Sequence, residues 1–188
     1  MDKARWFSIT LNRKNAPWAY VKGEPLRSIA TLELCAVLVA VMLFGKRLVE
    51  TDRKNIITLS ASTDNLGNTY VLKHFMSCKY PLSIVVMELA ARLHSLGMEL
   101  DLNWVPRGQN TEADALMNGE FQGFDEALRI DVQFEDLEFM ILERLMGIAG
   151  DLDSEVKMAK TSKEAKGDRP VDTLPRKKRG STRWEDPW

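Results

Sequence analysis

Three acidic residues stand in settings where a carboxylate can do chemistry. Glu33 is the only charged residue between Arg27 and Lys46, inside an apolar stretch. Asp64 directly follows a short apolar run, and Asp114 lies in the first turn of a predicted helix. An acid in an apolar helix normally needs a partner or an ion, and carboxylate oxygens are the ligands that hard divalent cations prefer.

Each of these acids also has a plainer explanation. Glu33 can lie at the edge of a sheet and reach solvent. Asp64 can cap a helix that begins at Asn65 or Leu66, a common role for aspartate. Asp114 comes three residues after Thr111, which is the spacing of a capping box with a shortened acid. The order of the surrounding elements must therefore decide between these readings.

The hydrophobic pattern predicts strand, strand, helix, strand, helix, helix, strand, helix. The predicted elements are a hairpin of strands at 7–11 and 18–21, a helix at 29–48 capped by Ser28, a strand at 56–59 that suits cover on both faces, a helix to about 77, a helix at 82–96 closed by Gly97, a strand at 100–104, and a short helix from 111 that ends at 118–119. This order indicates a mixed α/β sheet with helices on its faces.

The pattern changes after residue 124. An acidic, Leu- and Met-rich stretch at 134–149 predicts a helix, so we assign 1–124 to the α/β domain and 125–150 to a helical C-terminal extension. Residues 151–188 are largely charged and poor in apolar side chains, which predicts a disordered tail. The basic run at 175–179 fits a nuclear-import or phosphate-binding patch, and it fits a solvated tail equally well.

Composition narrows the class of protein. The chain has 188 residues, 45% of them apolar, which suits one ordinary core. Its net charge of −1 creates no global field toward nucleic acid or membrane. The longest apolar run spans 11 residues, below the roughly 18 to 20 that a membrane helix requires. Cys35 and Cys78 form no disulfide framework, and no secretory signal follows Met1. We therefore expect an intracellular protein, nuclear or cytoplasmic, without a membrane segment.

Three short motifs resemble those of one enzyme family. They are TLELCA at 31–36 on the first long helix, STDN at 62–65 after the strand, and WVPRGQNTEADAL at 104–116. In this order they resemble the type I ribonuclease H domain that accompanies reverse transcriptases in retroelements. The resemblance covers residues from about 4 to 124. It implies a ribonuclease H-like mixed sheet flanked by helices.

The resemblance also implies an activity. In that family, four carboxylates hold two divalent ions that flank the scissile phosphate, and Glu33, Asp64 and Asp114 match three of those catalytic, metal-binding roles. The implied cofactor is Mg²⁺ or Mn²⁺, and the implied substrate is the RNA strand of an RNA–DNA hybrid. Residues beside the acids are expected to contact the nucleic acid: Asn65, Arg107 and Asn110. For Arg107 and Asn110, a solvated loop is an equally good reading.

The chain departs from the family in two places. The family's first strand, which carries the first catalytic aspartate, has no counterpart, and Asp2 lies too close to the next strand to replace it. The loop at 107–110 contains no histidine. We therefore expect an N-terminally truncated domain, with an upstream reverse transcriptase segment as a candidate partner. Whether the chain is an enzyme stays open, because a catalytically inactive remnant that binds nucleic acid or another protein is the alternative.

Overall fold

The computed structural model describes residues 4–20, 28–49, 56–77 and 79–145, with single positions at 148, 151, 154, 155 and 158. The chain divides into two units, Met1–Asp153 and Ser154–Trp188. In the second unit, the described residues are Ser154, Glu155 and Met158, and each is helical. Most of the predicted tail at 151–188, including the basic run at 175–179, lies outside the described residues. The site is built on the first unit.

The first unit is a mixed α/β structure, as the sequence predicts. Its helices and strands are α1 (Ile29–Val49), β1 (Ile57–Thr63), α2 (Leu66–His74), α3 (Leu82–Leu96), β2 (Met98–Trp104) and α4 (Thr111–Met117). Among the described residues, 3₁₀ turns lie at Pro17–Tyr20, Arg107–Gln109, Glu126–Leu128 and Phe134–Asp136.

The two strands pair in parallel. Ile57 lies opposite Met98 at one end of the ladder, and Thr63 lies opposite Trp104 at the other. Helices α2 and α3 form the crossover that a parallel pair requires. Residues of β1 alternate between half-buried and exposed, so this strand shows one face to the core and one to solvent, not the cover on both faces that its first residues predict. The parallel arrangement places the carboxyl ends of both strands side by side.

Helix α1 forms the centre of the core. It has apolar side chains nearly all round, and such helices belong in a protein interior. Leu34 and Leu38 of α1 and Val85 and Leu89 of α3 are all fully buried in one cluster. Within the described residues, no helix combines the length and apolar character needed to cross a membrane.

Helix α3 begins and ends where the sequence predicts. Gly97 follows its last residue in the left-handed conformation, with φ at +64°, and its N–H donates to the carbonyl of His94 at 3.1 Å. Glycine adopts this conformation without the steric penalty of a Cβ atom. The turn leads directly into β2.

The predicted N-terminal hairpin is wrong. Residues 7–11 are in no strand, and Pro17–Tyr20 is a 3₁₀ turn. The Asn12 side chain accepts the N–H groups of Lys14 (2.8 Å) and Asn15 (3.2 Å), and the Asn15 amide donates to the carbonyl of Thr10 at 3.1 Å. These local bonds compete with a cross-strand ladder for the backbone.

The C-terminal segment is also not the single continuous helix that the sequence predicts over 134–149. Residues Phe134–Asp136 form a 3₁₀ turn, and α-helix begins only at Leu142. Phe134, Leu137 and Leu142 are buried in the same cluster as α1 and α3. The segment is therefore part of the core of the first unit.

A buried acid explains where this last helix starts. The carboxylate of Glu88, in the middle of α3, accepts the backbone N–H groups of Met140 (2.9 Å), Ile141 (2.7 Å) and Leu142 (2.9 Å). The first N–H groups of a helix have no intrahelical partner and are normally satisfied by such a side chain. Arg92, one turn along α3, balances the charge of Glu88 at 3.2 Å.

Candidate functional site

Three elements carry the acids singled out by the sequence. Glu33 lies in the second turn of α1, Asp64 directly follows β1, and Asp114 lies in the first turn of α4. Because β1 and β2 run parallel, the chain leaves both strands at the same edge of the sheet. A short 3₁₀ turn, Arg107–Gln109, then leads from β2 into α4. This topology brings the three acids toward one edge.

Amide groups hold the Glu33 carboxylate. Its Oε2 accepts hydrogen bonds from the side-chain amides of Asn65 (2.5 Å) and Asn68 (3.4 Å). Asn68 is only 1% exposed, and its amide also donates to the carbonyl of Ala30 at 2.9 Å. Asn68 of α2 therefore links the Glu33 side chain to the backbone of Ala30 in the first turn of α1.

The electrostatics of Glu33 show which predicted residues lie near it. Burial raises the pKa of Glu33 above its usual 4.5, and the hydrogen bond from Asn65 opposes this rise. The negative charges of Asp64 and Asp114 raise the pKa further, whereas the Arg107 guanidinium lowers it. Both other acids and the predicted arginine thus lie within electrostatic reach of Glu33.

Asp64 does not cap α2. Asn65 is the N-cap residue, and its side-chain oxygen accepts the N–H of Asn68 at 3.2 Å. The Asp64 carboxylate instead lies 3.8 Å from Nε of Arg107, with its side chain 18% exposed. Its backbone carbonyl accepts the indole N–H of Trp104 at 3.2 Å. The helix-cap explanation for Asp64 is therefore not realised.

Asp114 is not part of a capping box. The N-cap residue of α4 is Asn110, which makes no side-chain capping hydrogen bond, and Thr111 is already inside the helix. Asp114 contributes its backbone to α4, donating to the carbonyl of Asn110 at 3.1 Å. Within the described part of the chain, its half-buried carboxylate makes no hydrogen bond or ion pair. This acid is available to a ligand.

The acids do not form a shared ion site in this arrangement. Carboxylate oxygens are the ligand type that Mg²⁺ and Mn²⁺ prefer. However, among the described residues no three His, Cys, Asp or Glu side chains lie close enough together to hold one metal ion. The amides of Asn65 and Asn68 occupy Glu33, and Arg107 faces Asp64. The donor chemistry fits the implied cofactor, but the present geometry does not.

The three residues expected to contact nucleic acid differ in whether their side chains already have bonding partners. The Arg107 side chain is 74% exposed, so its guanidinium can reach a phosphate while it faces Asp64. The Asn65 side chain is committed to Glu33 and to the start of α2. Asn110 donates its backbone N–H to the carbonyl of Arg107 at 3.0 Å, which closes the turn into α4.

Sequence reasoning missed Asn68 as a member of this site. It is buried beneath Glu33, and the only sign in the sequence is an asparagine inside a predicted helix, where this residue is unfavourable. Trp104 is a second such residue: it is 49% exposed, and its indole N–H donates to the backbone carbonyl of Asp64. Its position at the end of β2 was visible in the sequence, but its partner was not.

Comparisons with known proteins found no relative. The sequence matches no protein-family model, and neither a curated protein nor a solved structure matches it.

Proposed function

We propose that this chain is a ribonuclease H-like domain derived from a retroelement reverse transcriptase. The ancestral activity of such a domain is divalent-metal-dependent hydrolysis of RNA in RNA–DNA hybrids. The observation that supports this proposal is the approach of Glu33, Asp64 and Asp114, from α1, β1 and α4, toward one edge of a parallel strand pair. The negative charges of Asp64 and Asp114 raise the pKa of Glu33, as neighbouring carboxylates do when no cation neutralises them.

A second candidate is a module that binds nucleic acid or a protein without cleaving anything. The engagement of Glu33 by two amides and the pairing of Asp64 with Arg107 favour it. An acid that already has hydrogen-bonding partners must exchange them before it can coordinate a cation. On this reading the acids have become structural, and the exposed Arg107 supplies contact to a phosphate.

Cleavage assays separate these candidates. The purified chain is incubated with an end-labelled RNA–DNA hybrid in Mg²⁺ or Mn²⁺, beside the variants Asp64→Asn and Glu112→Gln. Glu112 is an exposed acid of α4, so its variant controls for the loss of one negative charge. We expect cleavage to be weak, to depend on the cation, and to disappear in Asp64→Asn but not in Glu112→Gln. Absence of cleavage in every condition would reject the catalytic proposal for this polypeptide.

Binding assays test the second candidate. Fluorescence anisotropy with the same hybrid, in EDTA and at several salt concentrations, measures affinity without catalysis. If Arg107 contacts a phosphate, Arg107→Ala weakens binding and reduces the slope of log K against log salt by about 1. A hybrid that does not bind with or without a cation would contradict both nucleic-acid proposals and leave a protein partner.

A further inference from the structure

Strand β1 has an outer edge without a partner strand. Among the described residues, the sheet consists of β1 and β2 alone. The carbonyl of Thr63 accepts the N–H of Val105, just after β2, and backbone groups alternate in direction along a strand. The N–H and C=O groups of Thr58, Ser60 and Ser62 therefore point away from β2. Within the described part of the chain, these groups have no hydrogen-bonding partner.

The core-facing side chains of β1 are also less covered than those of β2. Ile57, Leu59 and Ala61 pack against the core but are only half-buried. Met98 and Leu102 of β2 are 5% and 9% exposed. A sheet of two strands is at most marginally stable by itself, and a further strand beside β1 would cover its apolar side chains. The outer edge of β1 therefore lacks both hydrogen-bonding partners and apolar cover.

β1 has none of the features that keep an edge strand from pairing. Soluble proteins protect exposed edges with charged side chains, prolines or bulges. The sequence of β1 is ITLSAST, which contains no charged residue and no proline, and its register with β2 is unbroken. β2 by contrast carries two exposed acids, Glu99 and Asp101. The β1 edge is therefore the one suited to accept a strand.

A second copy of β1 fits this edge when the two strands run antiparallel about a two-fold axis at Ser60. Ser60 then lies opposite its own counterpart, and Thr58 lies opposite Ser62. All three residues point outward, and each such pair exchanges two backbone hydrogen bonds. Hydroxyl groups meet on the exposed face, and Leu59 meets Ala61 on the core face, which are favourable cross-strand pairs. The edge is thus complementary to itself.

Charge favours β1 over β2 as the self-associating edge. Pairing two copies of β2 about the middle residue places Asp101 opposite Asp101, and pairing about Leu100 places Glu99 opposite Asp101. Like charges directly opposite each other destabilise a strand pair. β1 has no charged residue to oppose another. A two-fold pairing through β1 also closes, because it uses the same edge of both copies and leaves neither β1 edge exposed.

We propose that two copies of this chain associate through the outer edges of β1, antiparallel about a two-fold axis at Ser60, and form one continuous four-stranded sheet. Edge pairing of short strands buries little surface, so the dimer is weak and depends on protein concentration. The inference does not depend on nuclease activity.

Sedimentation velocity of the full chain, from about 1 µM to 1 mM, measures the association. We expect a reversible shift from monomer to dimer over this range. Ser60→Lys sets two ammonium groups opposite each other at the axis, so it should weaken the association at least about 5-fold. Ser60→Glu should weaken it similarly. The substituted side chain is exposed, and circular dichroism verifies that each variant is folded.

A mixture of the two variants tests the axis itself. Equimolar Ser60→Lys and Ser60→Glu, one of them ¹⁵N-labelled, set opposite charges against each other only in a heterodimer. We expect native mass spectrometry to show heterodimers above the half that random pairing gives, and sedimentation to recover the wild-type association. The control pair is Asn103→Lys with Asn103→Glu, because Asn103 is exposed on the same face of the sheet but belongs to β2. These variants should associate like the wild type, alone and mixed.

Three results would overturn the inference. A wild-type chain that stays monomeric up to about 1 mM would show that this edge does not self-associate, and its partner would then be a strand of different sequence. Equal weakening by Ser60→Lys and Asn103→Lys would place the association on another surface. Weakening by both Ser60 variants without recovery in their mixture would reject the two-fold axis at this residue.

Discussion

Glu33 shows how an acid can be kept in an apolar helix. Burial and two neighbouring carboxylates disfavour its charge, and the amides of Asn65 and Asn68 with the Arg107 guanidinium offset part of that cost. On balance these effects favour the protonated form of Glu33, because its pKa is raised above the usual value. A cation placed among the acids would reverse this balance.

The raised pKa of Glu33 predicts a pH-dependent stability. The folded protein holds the proton more tightly than the unfolded chain, so ionisation of Glu33 lowers the free energy of unfolding as the pH rises above 4.5. We therefore expect Glu33→Gln to raise the melting temperature at neutral pH, and we expect the gain to vanish below that value. Thermal melts across this range measure it.

The matched variant is Glu99→Gln, on the exposed face of β2. It removes the same charge without altering a carboxylate in the acid cluster. A gain of the same size and pH dependence in both variants would mean that net charge, and not the surroundings of Glu33, is responsible.

Glu88 is a second acid whose surroundings explain its presence. It is fully buried, and its carboxylate accepts backbone N–H groups at the start of the last helix and faces Arg92. Arg92 also donates to the carbonyl of Glu138 at 2.5 Å. Charge-assisted hydrogen bonds of this kind are roughly twice as strong as neutral ones. The pair therefore fastens the C-terminal segment to α3.

Replacing this acid should be costly. Glu88→Gln removes the charge opposite Arg92 and turns an amide N–H₂ toward backbone donors, so we expect a loss of about 3 to 5 kcal/mol in the free energy of unfolding. Urea denaturation measures the loss. Glu138→Gln is the control, because that side chain is exposed and only its carbonyl is used, and its effect should stay within about 0.5 kcal/mol. Equal effects in both variants would contradict the fastening role.

At the scale of elements, hydrogen bonds at the ends of β1 and β2 fix the positions of the residues that follow these strands. The carbonyl of Thr63 accepts the N–H of Val105 at 2.9 Å, which continues the ladder one step past β2. The indole of Trp104 then bonds to the carbonyl of Asp64. These contacts hold the two strand ends together, and Asp64 and Arg107 are neighbours as a result.

The N- and C-terminal segments of the first unit also meet. The backbone of Trp6 donates to Leu128 at 3.3 Å and accepts from Ile130 at 2.8 Å, and its indole donates to the carbonyl of Asp125 at 2.8 Å. The guanidinium of Arg129 lies over the Trp6 ring at 5.2 Å. Residues beyond 124 therefore complete the surroundings of Trp6.

At the scale of the molecule, this contact pattern predicts that residues 1–124 do not fold stably without those that follow. Removing the rest exposes the core surface covered by Phe134, Leu137 and Leu142 and leaves the Glu88 carboxylate without its backbone donors. We expect residues 1–153 to melt cooperatively and residues 1–124 to show no cooperative transition. Circular dichroism melts compare the two, and a cooperative melt of the shorter chain would show that the C-terminal segment is an accessory.

The sequence by itself determined the elements whose signals are local. The largely apolar α1, the bounds of α3 with its glycine cap, and the order of elements from α1 to α4 follow from periodicity and capping within a few residues. The motifs also single out Glu33, Asp64, Asp114 and Arg107, and the fold brings the last three within electrostatic reach of Glu33.

Only the tertiary structure decided the features that depend on distant partners. The segment at 7–11 has the alternation of a strand, yet the asparagine turn after it takes the backbone groups that a hairpin would use. The last helix starts at Leu142, later than its periodicity predicts, because Glu88, which is 54 residues away in the sequence, accepts its first N–H groups. The hydrogen bond from Asn68 to Glu33 spans 35 residues, and no local pattern encodes it. Periodicity reports which side of an element is apolar, whereas the pairing of polar groups is settled only when the folded chain brings them within bonding distance.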